Sequence, residues 1–293
     1  MVVITVSGGK GGTGKTLVAA SLARSFSLSA RTLLVDLDAD NPCTYTLLGV
    51  DPVTLREVRA FTPVIDVDNC VRCGECTHHC PAGALVLVPN KLIFVETLCE
   101  GCGACLYVCK HGAISEGSRT LGWVKRASVK NLDLLIAEAR AGERKTDDVA
   151  IEVLDEAVEA KPQYSWVVID TPAGTGRLVK LAIDGADLAL LVTEPTRLGL
   201  YDLKRAIKLV DAGKPVLVVI NKYDMPGGIL AEMEGFLRRV GVEWVYVPMD
   251  VHVQGAYVKG LNYLEEVSKP VARALSEVSA RVKELLARVG KLL

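Results

Sequence analysis

The chain has 293 residues, half of them hydrophobic, and a formal net charge of −1. That balance excludes a generally basic surface of the kind that coats nucleic acid. No apolar run reaches the roughly 20 residues of a membrane-spanning helix, and no basic, then apolar leader opens the sequence, so the expected location is the cytoplasm. Eight of the nine cysteines fall between Cys70 and Cys109, a density that in a cytoplasmic protein points to metal rather than to disulfides.

In chain order, residues 2–7, "VVITVS", form a short apolar, β-branched run that predicts a buried strand. A glycine-rich turn follows, and then "KTLVAASLARSFSL", whose apolar spacing predicts a helix. "RTLLVDLDAD" is a second buried strand with acids at its C-terminal end, which makes a βαβ unit. Further apolar strands are predicted at 166–170, 188–193, 215–220 and 243–247, with helices near 149–160, 177–184, 199–212 and 229–240. Near-continuous apolar strands joined by helices mean an α/β fold, a doubly wound, mostly parallel sheet covered on both faces. Residues 61–117 break the rhythm, being rich in Cys, Gly and Pro. They are expected to be a small inserted α+β domain, leaving 1–60 and 118–293 as a discontinuous outer domain. Residues 118–148 give no clear pattern. The C-terminal stretch "KPVARALSEVSARVKELLARVGKLL" is amphipathic, with Val271, Leu275, Val278, Val282, Leu285 and Val289 on one face. Glu277 and Glu284 dilute its basic face, so a helix packed on the sheet is expected in preference to one lying on a membrane.

Residues 9–16 read G-x-x-x-x-G-K-T, between a strand and a helix. This pattern cradles phosphates: Gly9, Gly11, Gly12, Thr13 and Gly14 let the backbone turn its N–H groups inward. Lys15 would neutralise phosphate charge and Thr16 would place a hydroxyl on Mg²⁺. Asp170, at the end of "WVVID", is a candidate for Mg²⁺ directly or through water. Asp36 and Asp38 end the second strand and are expected to face the same crevice, Asp38 positioning the attacking water and Asp36 supporting Mg²⁺ or the loop. A second lysine, Lys10, has no obvious task in a phosphate loop.

These motifs resemble those of the MinD/ParA/Mrp/NifH-like ATPases. "KGGTGKT" with its extra Lys10 is similar to their deviant Walker A motif, "DLDADNP" to switch I and "DTPAGTG" to switch II, and the resemblance covers residues 1–60 and 150–265. It implies that Lys10 reaches across a nucleotide-dependent homodimer to the partner's phosphates, as an arginine finger does. It also implies ATP, with Asn221 and Pro248 of "VPMD" beside the base. GTP stays open, because "NKYD" at 221–224 places Asp224 where it would accept from guanine.

Cys70, Cys73, Cys76 and Cys80, followed by Pro81, give C-x₂-C-x₂-C-x₃-C-P, and Cys99, Cys102, Cys105 and Cys109 repeat the spacing with Lys110 in place of proline. Two such runs predict two [4Fe–4S] clusters, the fourth cysteine of each run serving the other cluster. Cys70, Cys73, Cys76 and Cys109 would hold one, and Cys99, Cys102, Cys105 and Cys80 the other. Zinc fits less well, since paired zinc sites use two C-x₂-C halves with a longer gap. His78, His79 and His111 are expected to be surface or packing residues, and Cys43 a small buried hydrophobe. Together the features resemble MinD-superfamily ATPases with an inserted ferredoxin domain. The expected function is an ATP-hydrolysing dimer that couples nucleotide state to electron transfer or to iron–sulfur or metal-cofactor assembly, through a redox or assembly partner that the sequence does not name. The alternative is a spatial or regulatory switch with a redox-sensing insert. No cysteine follows Cys109, which removes the cluster arrangements of the nitrogenase iron protein and of Mrp-type carriers.

Overall fold

A computed structural model describes residues 1–253, 255 and 267–292. The last part of the resembling stretch, 256–265, lies outside the described residues. Strand β1 (Val2–Ser7) leads through the glycine-rich loop into helix α1 (Lys15–Ser27), strand β2 (Thr32–Asp36) and the short helix α2 (Thr44–Leu48). A long strand β3 (Val53–Ile65) then carries the chain away to the cysteines. There α3 (Glu75–His78), the hairpin β4 (Leu85–Val88) and β5 (Lys91–Phe94), and α4 (Ala104–Val108) follow in order. Strand β6 (Ile114–Val129) returns antiparallel to β3, and β7 (Leu132–Ala139) turns back beside it. The remainder alternates: α5 (Thr146–Ala160), β8 (Trp166–Asp170), α6 (Arg177–Asp184), β9 (Leu188–Thr193), α7 (Arg197–Leu209), β10 (Val216–Asn221), α8 (Leu230–Val240), β11 (Glu243–Val247) and α9 (Lys269–Arg288).

The sheet has nine strands in the order β11-β10-β9-β1-β8-β2-β7-β6-β3. The run from β11 to β7 is parallel throughout, and β6 and β3 extend it antiparallel. The architecture is a mixed, largely parallel P-loop α/β sheet. Strand alternation divides the core. Val2, Ile4 and Val6 pack with α1 and α9 on one face, while Val3, Leu33 and Val35 pack with α5 and α6 on the other. Helices α7 and α8 cover Leu191, Val218 and Ile220. Helix α1 is buried on more than one side. Val18, Ala19, Ala20, Leu22, Ala23 and Phe26 are all buried, because α9 covers the helix face that points away from the sheet.

Val271, Leu275, Val278 and Val282 of α9 are buried as expected of a packed helix, whereas Val289 is exposed beyond its end. No helix among the described residues is long and apolar enough to cross a membrane. Leu286 is fully buried against the same core, so Leu286→Ala is expected to cost about 2–5 kcal/mol in chemical denaturation, a loss in midpoint without a change in slope.

The patternless stretch 118–148 is mostly sheet. Strands β3 and β6 run through both expected insert boundaries, 61 and 117, since Phe61 pairs with Ser118 and the ladder continues to Ile65 opposite Ile114. The cysteine segment therefore hangs from a two-stranded arm of the main sheet. Its small core is Cys76, Leu85, Cys105 and Ile114.

Candidate functional site

At the C-terminal ends of β1, β2, β8 and β10 lies an open cleft lined by Gly11, Gly12, Gly14, Lys15, Thr16, Asp38, Cys43 and Asn221, among others. Gly12 and Gly14 hold positive φ of 77° and 92°, which L side chains adopt at a cost. Gly14 also abuts Asn221, whose Nδ2 would lie 2.3 Å from an added Cβ. Gly9 is closed differently: a Cβ there would stand 2.1 Å from that of Asp202 on α7. By contrast Gly11 and Gly12 face open space, as a concave loop that receives a ligand requires. The loop is gripped by its carbonyls. Asn221 Nδ2 donates to Thr13 O at 2.8 Å, Lys222 Nζ to Gly12 O at 2.9 Å and Lys15 Nζ to Lys10 O at 3.2 Å.

Lys15 is buried, and that burial lowers its pKa against the opposing pull of Asp170 and Asp38. Asp170 is almost fully buried, and neither of its oxygens has a hydrogen-bond partner. Burial and then the charge of Asp36 push its pKa well above the usual carboxylate range, although the neighbouring Thr16 hydroxyl and Lys15 work the other way. An orphaned buried carboxylate beside a threonine hydroxyl and a lysine is a donor set suited to a hard divalent cation.

Of the two roles expected of Asp36, its hydrogen bonds fit support of the loop. Strand β2 ends at this residue, so Asp36 and Asp38 do not share the strand, and both Asp36 oxygens are occupied. Oδ2 accepts from Cys43 N, Thr44 N and Thr44 Oγ1 at 3.2, 3.1 and 2.9 Å, and Oδ1 accepts from Asp38 N at 3.1 Å. Asp36 therefore shapes the loop over 38–44. Burial outweighs these bonds and lifts its pKa to about 6. Asp38 stays half-buried at the cleft, its pKa raised by burial and held back by Lys15. Cys43 lines the cleft rather than the core. Burial first, then Asp36 and Asp170, push its thiol up to about 12, which keeps it protonated.

Lys10 Nζ is ion-paired within the chain to Glu194, whose side chain is only 8% exposed, and Lys222 Nζ stands 3.4 Å from the same carboxylate. Glu194 and Lys222 were not singled out by sequence reasoning. The signals were "VTEPT" after β9 and the lysine of "NKYD", which takes a positive φ of 51°. On the expected base side, Asn221 reaches the cleft with its amide committed to Thr13. Pro248 is not among the residues that line it. Asp224 Oδ1 accepts from Met249 N at 2.7 Å and so ties two loops together.

Eight of the cysteines gather around two further, smaller cavities. The first is lined by Cys70, Cys73, Cys76 and Cys109, the second by Cys80, Cys99, Cys102 and Cys105. The fourth cysteine of each run thus faces the cavity of the other run. Gly74 and Gly103, at φ of 84° and 74°, start α3 and α4 in the two halves alike. Backbone N–H groups of Ala84 and Gly101 point at Cys80 Sγ and Cys99 Sγ at 3.3 and 3.4 Å. Among the described residues no three His, Cys, Asp or Glu side chains converge as for a single metal ion. Thiolates at the corners of a cubane stand farther apart than thiolates sharing one ion, and two four-cysteine cavities, the second with N–H donors at two of its sulfurs, suit such a group. His78, His79 and His111 are exposed, His111 at the rim of the first cavity.

Residues 4–263 match the family described as the CobQ/CobB/MinD/ParA nucleotide binding domain. The chain belongs to that family. An uncharacterized protein of Methanocaldococcus jannaschii is 32% identical over 279 residues, 92% of this chain and 97% of that one. Among solved structures, the septum site-determining protein MinD from Pyrococcus horikoshii, complexed with Mg-ADP, superposes with a TM-score of 0.60 at 20% identity. That match covers 97% of this chain and 96% of the other, and shows the shared fold. The polyferredoxin MvhB of Methanothermus fervidus is 33% identical over 67 residues, 22% of this chain and 16% of its own length.

Proposed function

We propose that the chain is an ATP-driven switch of the MinD/ParA kind whose cysteine segment, within 61–117, holds two [4Fe–4S] clusters and makes the switch responsive to redox state. The observation that carries this reading is the convergence of Lys15, Thr16 and Asp38 on one cleft, with the buried Asp170 beside them and Lys10 held by Glu194 at the same loop, in a sheet whose own strands extend to the cysteines. Lys15 and the loop of Gly9–Thr16 bind the phosphates. Thr16 and Asp170 hold Mg²⁺, which neutralises phosphate charge when bound, and Asp36 supports the loop beneath it. Asp38 orients the attacking water, and Lys10 leaves Glu194 to meet the phosphates of a second copy in a homodimer. One oxygen of Asp224 is engaged by Met249 N, which favours adenine over guanine, with Asn221 at the cleft and Pro248, beyond its lining, on the base side.

Cys70, Cys73, Cys76 and Cys109 would hold one cluster, and Cys80, Cys99, Cys102 and Cys105 the other; these groups supply one-electron chemistry. The match to a polyferredoxin and the paired cavities support the assignment. A second reading, electron delivery or cofactor assembly with a protein partner, is favoured by one feature: Cys73 and Cys102 are exposed, so each cavity reaches the surface. Family membership and the MinD-like fold favour the switch.

Anaerobic purification with metal analysis tests the reading. The expected result is about eight irons per chain, as two four-iron clusters require, together with dimerisation on adding ATP and Mg²⁺ that depends on the reduction state. Zinc or no metal would remove the clusters. Dimerisation that ignores reduction would remove the sensing, and electron transfer to an acceptor that depends on ATP would favour the second reading.

A further inference from the structure

Side chains from the outer sheet grip the rim of the second cysteine cavity, and the same short segment grips the Asp38 loop. Arg119 on β6 is 5% exposed and donates through its NH2 group to Cys99 O at 3.3 Å. Its guanidinium is paired with Glu143, whose side chain is 3% exposed. Glu143 also accepts the backbone N–H groups of Arg144 and Lys145, both at 2.9 Å, and so fixes the loop before α5. Lys145 Nζ then donates to Glu100 O at 3.0 Å. At the other side of this loop, Thr146 Oγ1 donates to Asp40 Oδ2 at 3.2 Å, and Ala139 N donates to Ala39 O at 2.8 Å. Ala39 and Asp40 directly follow Asp38. Cys99 and Glu100 line the second cavity, and Gly101 packs so closely on the arm that an added Cβ would stand 3.2 Å from Phe61 O.

We propose that residues 139–146, with Arg119, form a joint through which the Asp38 loop and the cavity of Cys80, Cys99, Cys102 and Cys105 report on each other. The cavity of Cys70, Cys73, Cys76 and Cys109 stands outside this relay. One end of the joint holds the carbonyls of Cys99 and Glu100 through Arg119 and Lys145, and the other holds the Ala39 carbonyl and the Asp40 carboxylate through Ala139 N and Thr146. A shift of Ala39 and Asp40 therefore moves the partners of Cys99 and Glu100, and the converse holds by linkage. Arg119, Glu143, Lys145 and Thr146 are positioning residues. This deepens the proposed function and rests on its reading of the cleft as a nucleotide site.

Arg119 and Glu143 are unsuitable first probes, because removing one partner of a buried pair strands the other charge and endangers folding. Thr146→Val and Lys145→Met remove the two more exposed contacts. The measurement is backbone amide exchange on the full, anaerobically prepared chain, with and without a non-hydrolysable ATP analogue and Mg²⁺. In the wild type, nucleotide is expected to slow exchange at 38–44. It should also slow exchange at 99–103 by about fivefold or more, the lower end of common site-to-site coupling. Residues 70–76 should be unaffected. Either variant should keep the response at 38–44 and lose that at 99–103. No response at 38–44 would overturn the nucleotide reading itself. A response there without one at 99–103 would overturn the joint alone, as would an equal response at 70–76 or variants that behave like the wild type.

Discussion

Lys10→Ala is expected to lower ATP turnover by about 10³-fold, the low end of what a charge supplied across an interface contributes to phosphoryl transfer. Nucleotide binding should stay within a few-fold. The reasoning is geometric. Lys15 is buried at the head of α1 with the acids, whereas Lys10 sits at the opening of the loop and is held by Glu194. A residue parked on a counter-ion within its own chain contributes little to ground-state binding and much to a state that draws it away. Mixed dimers sharpen the test. A Lys10→Ala subunit paired with an Asp38→Ala subunit should retain about one complete site in two, because the first keeps its own Asp38 and receives the lysine of its partner. No activity in such a mixture, or an equal loss in binding and turnover for Lys10→Ala itself, would show that Lys10 acts within its own chain.

Asp170→Asn should make the nucleotide-free protein more stable, by about 2 kcal/mol at pH 7.5, while abolishing the Mg²⁺-dependent gain in stability on adding nucleotide. The wild-type carboxyl is buried, lacks a donor and faces Asp36, so folding forces two acids together. Their folded pKa values lie above the unfolded ones, and Asp36 reaches about 6. The native state therefore binds protons more tightly, and the pair's contribution falls as pH rises from about 4, where unfolded carboxyls ionise, through the folded values. The advantage of Asp170→Asn should accordingly be small near pH 4 and grow toward neutrality. Denaturation curves at several pH values check this, and an advantage that shrinks with rising pH would mean that Asp170 is satisfied in the fold.

Most of the parallel part of the sheet was legible because its central strands are apolar runs buried on both faces, whereas β7, parallel to β2, was not foreseen. "WVVID" and "LALLVT" allow no other environment. The phosphate loop was legible for a different reason: its glycines are required by positive φ and by Asp202 and Asn221, and the spacing survives in the sequence. The arm was not. Strand β3 is the edge of the sheet and β6 pairs with it alone over 114–120, with Arg56, Glu57, Arg59, Arg119 and Lys125 interspersed, and their register is set by one another rather than by a core stripe. Glu194 and Glu143 were missed because a buried acid shows itself only when its partner is known. Here the partners Lys10 and Arg119 lie 184 and 24 residues away. For Asp36 the sequence left Mg²⁺ and the loop both open by the same route, since Thr44, which donates to it, is itself fully buried across a turn.

The pairing of Ile65 with Ile114 has a consequence for how such a chain can arise. Because these residues are cross-strand neighbours, a two-residue hairpin turn would join them and leave every rung of the ladder in place. The cysteine-bearing portion is thus a cassette clipped between adjacent rungs, and gaining or losing it demands no rearrangement of the rest. The same clip transmits orientation, because a module hung from two hydrogen-bonded strands inherits the twist of the sheet and lacks the free swing of one tethered by a single linker.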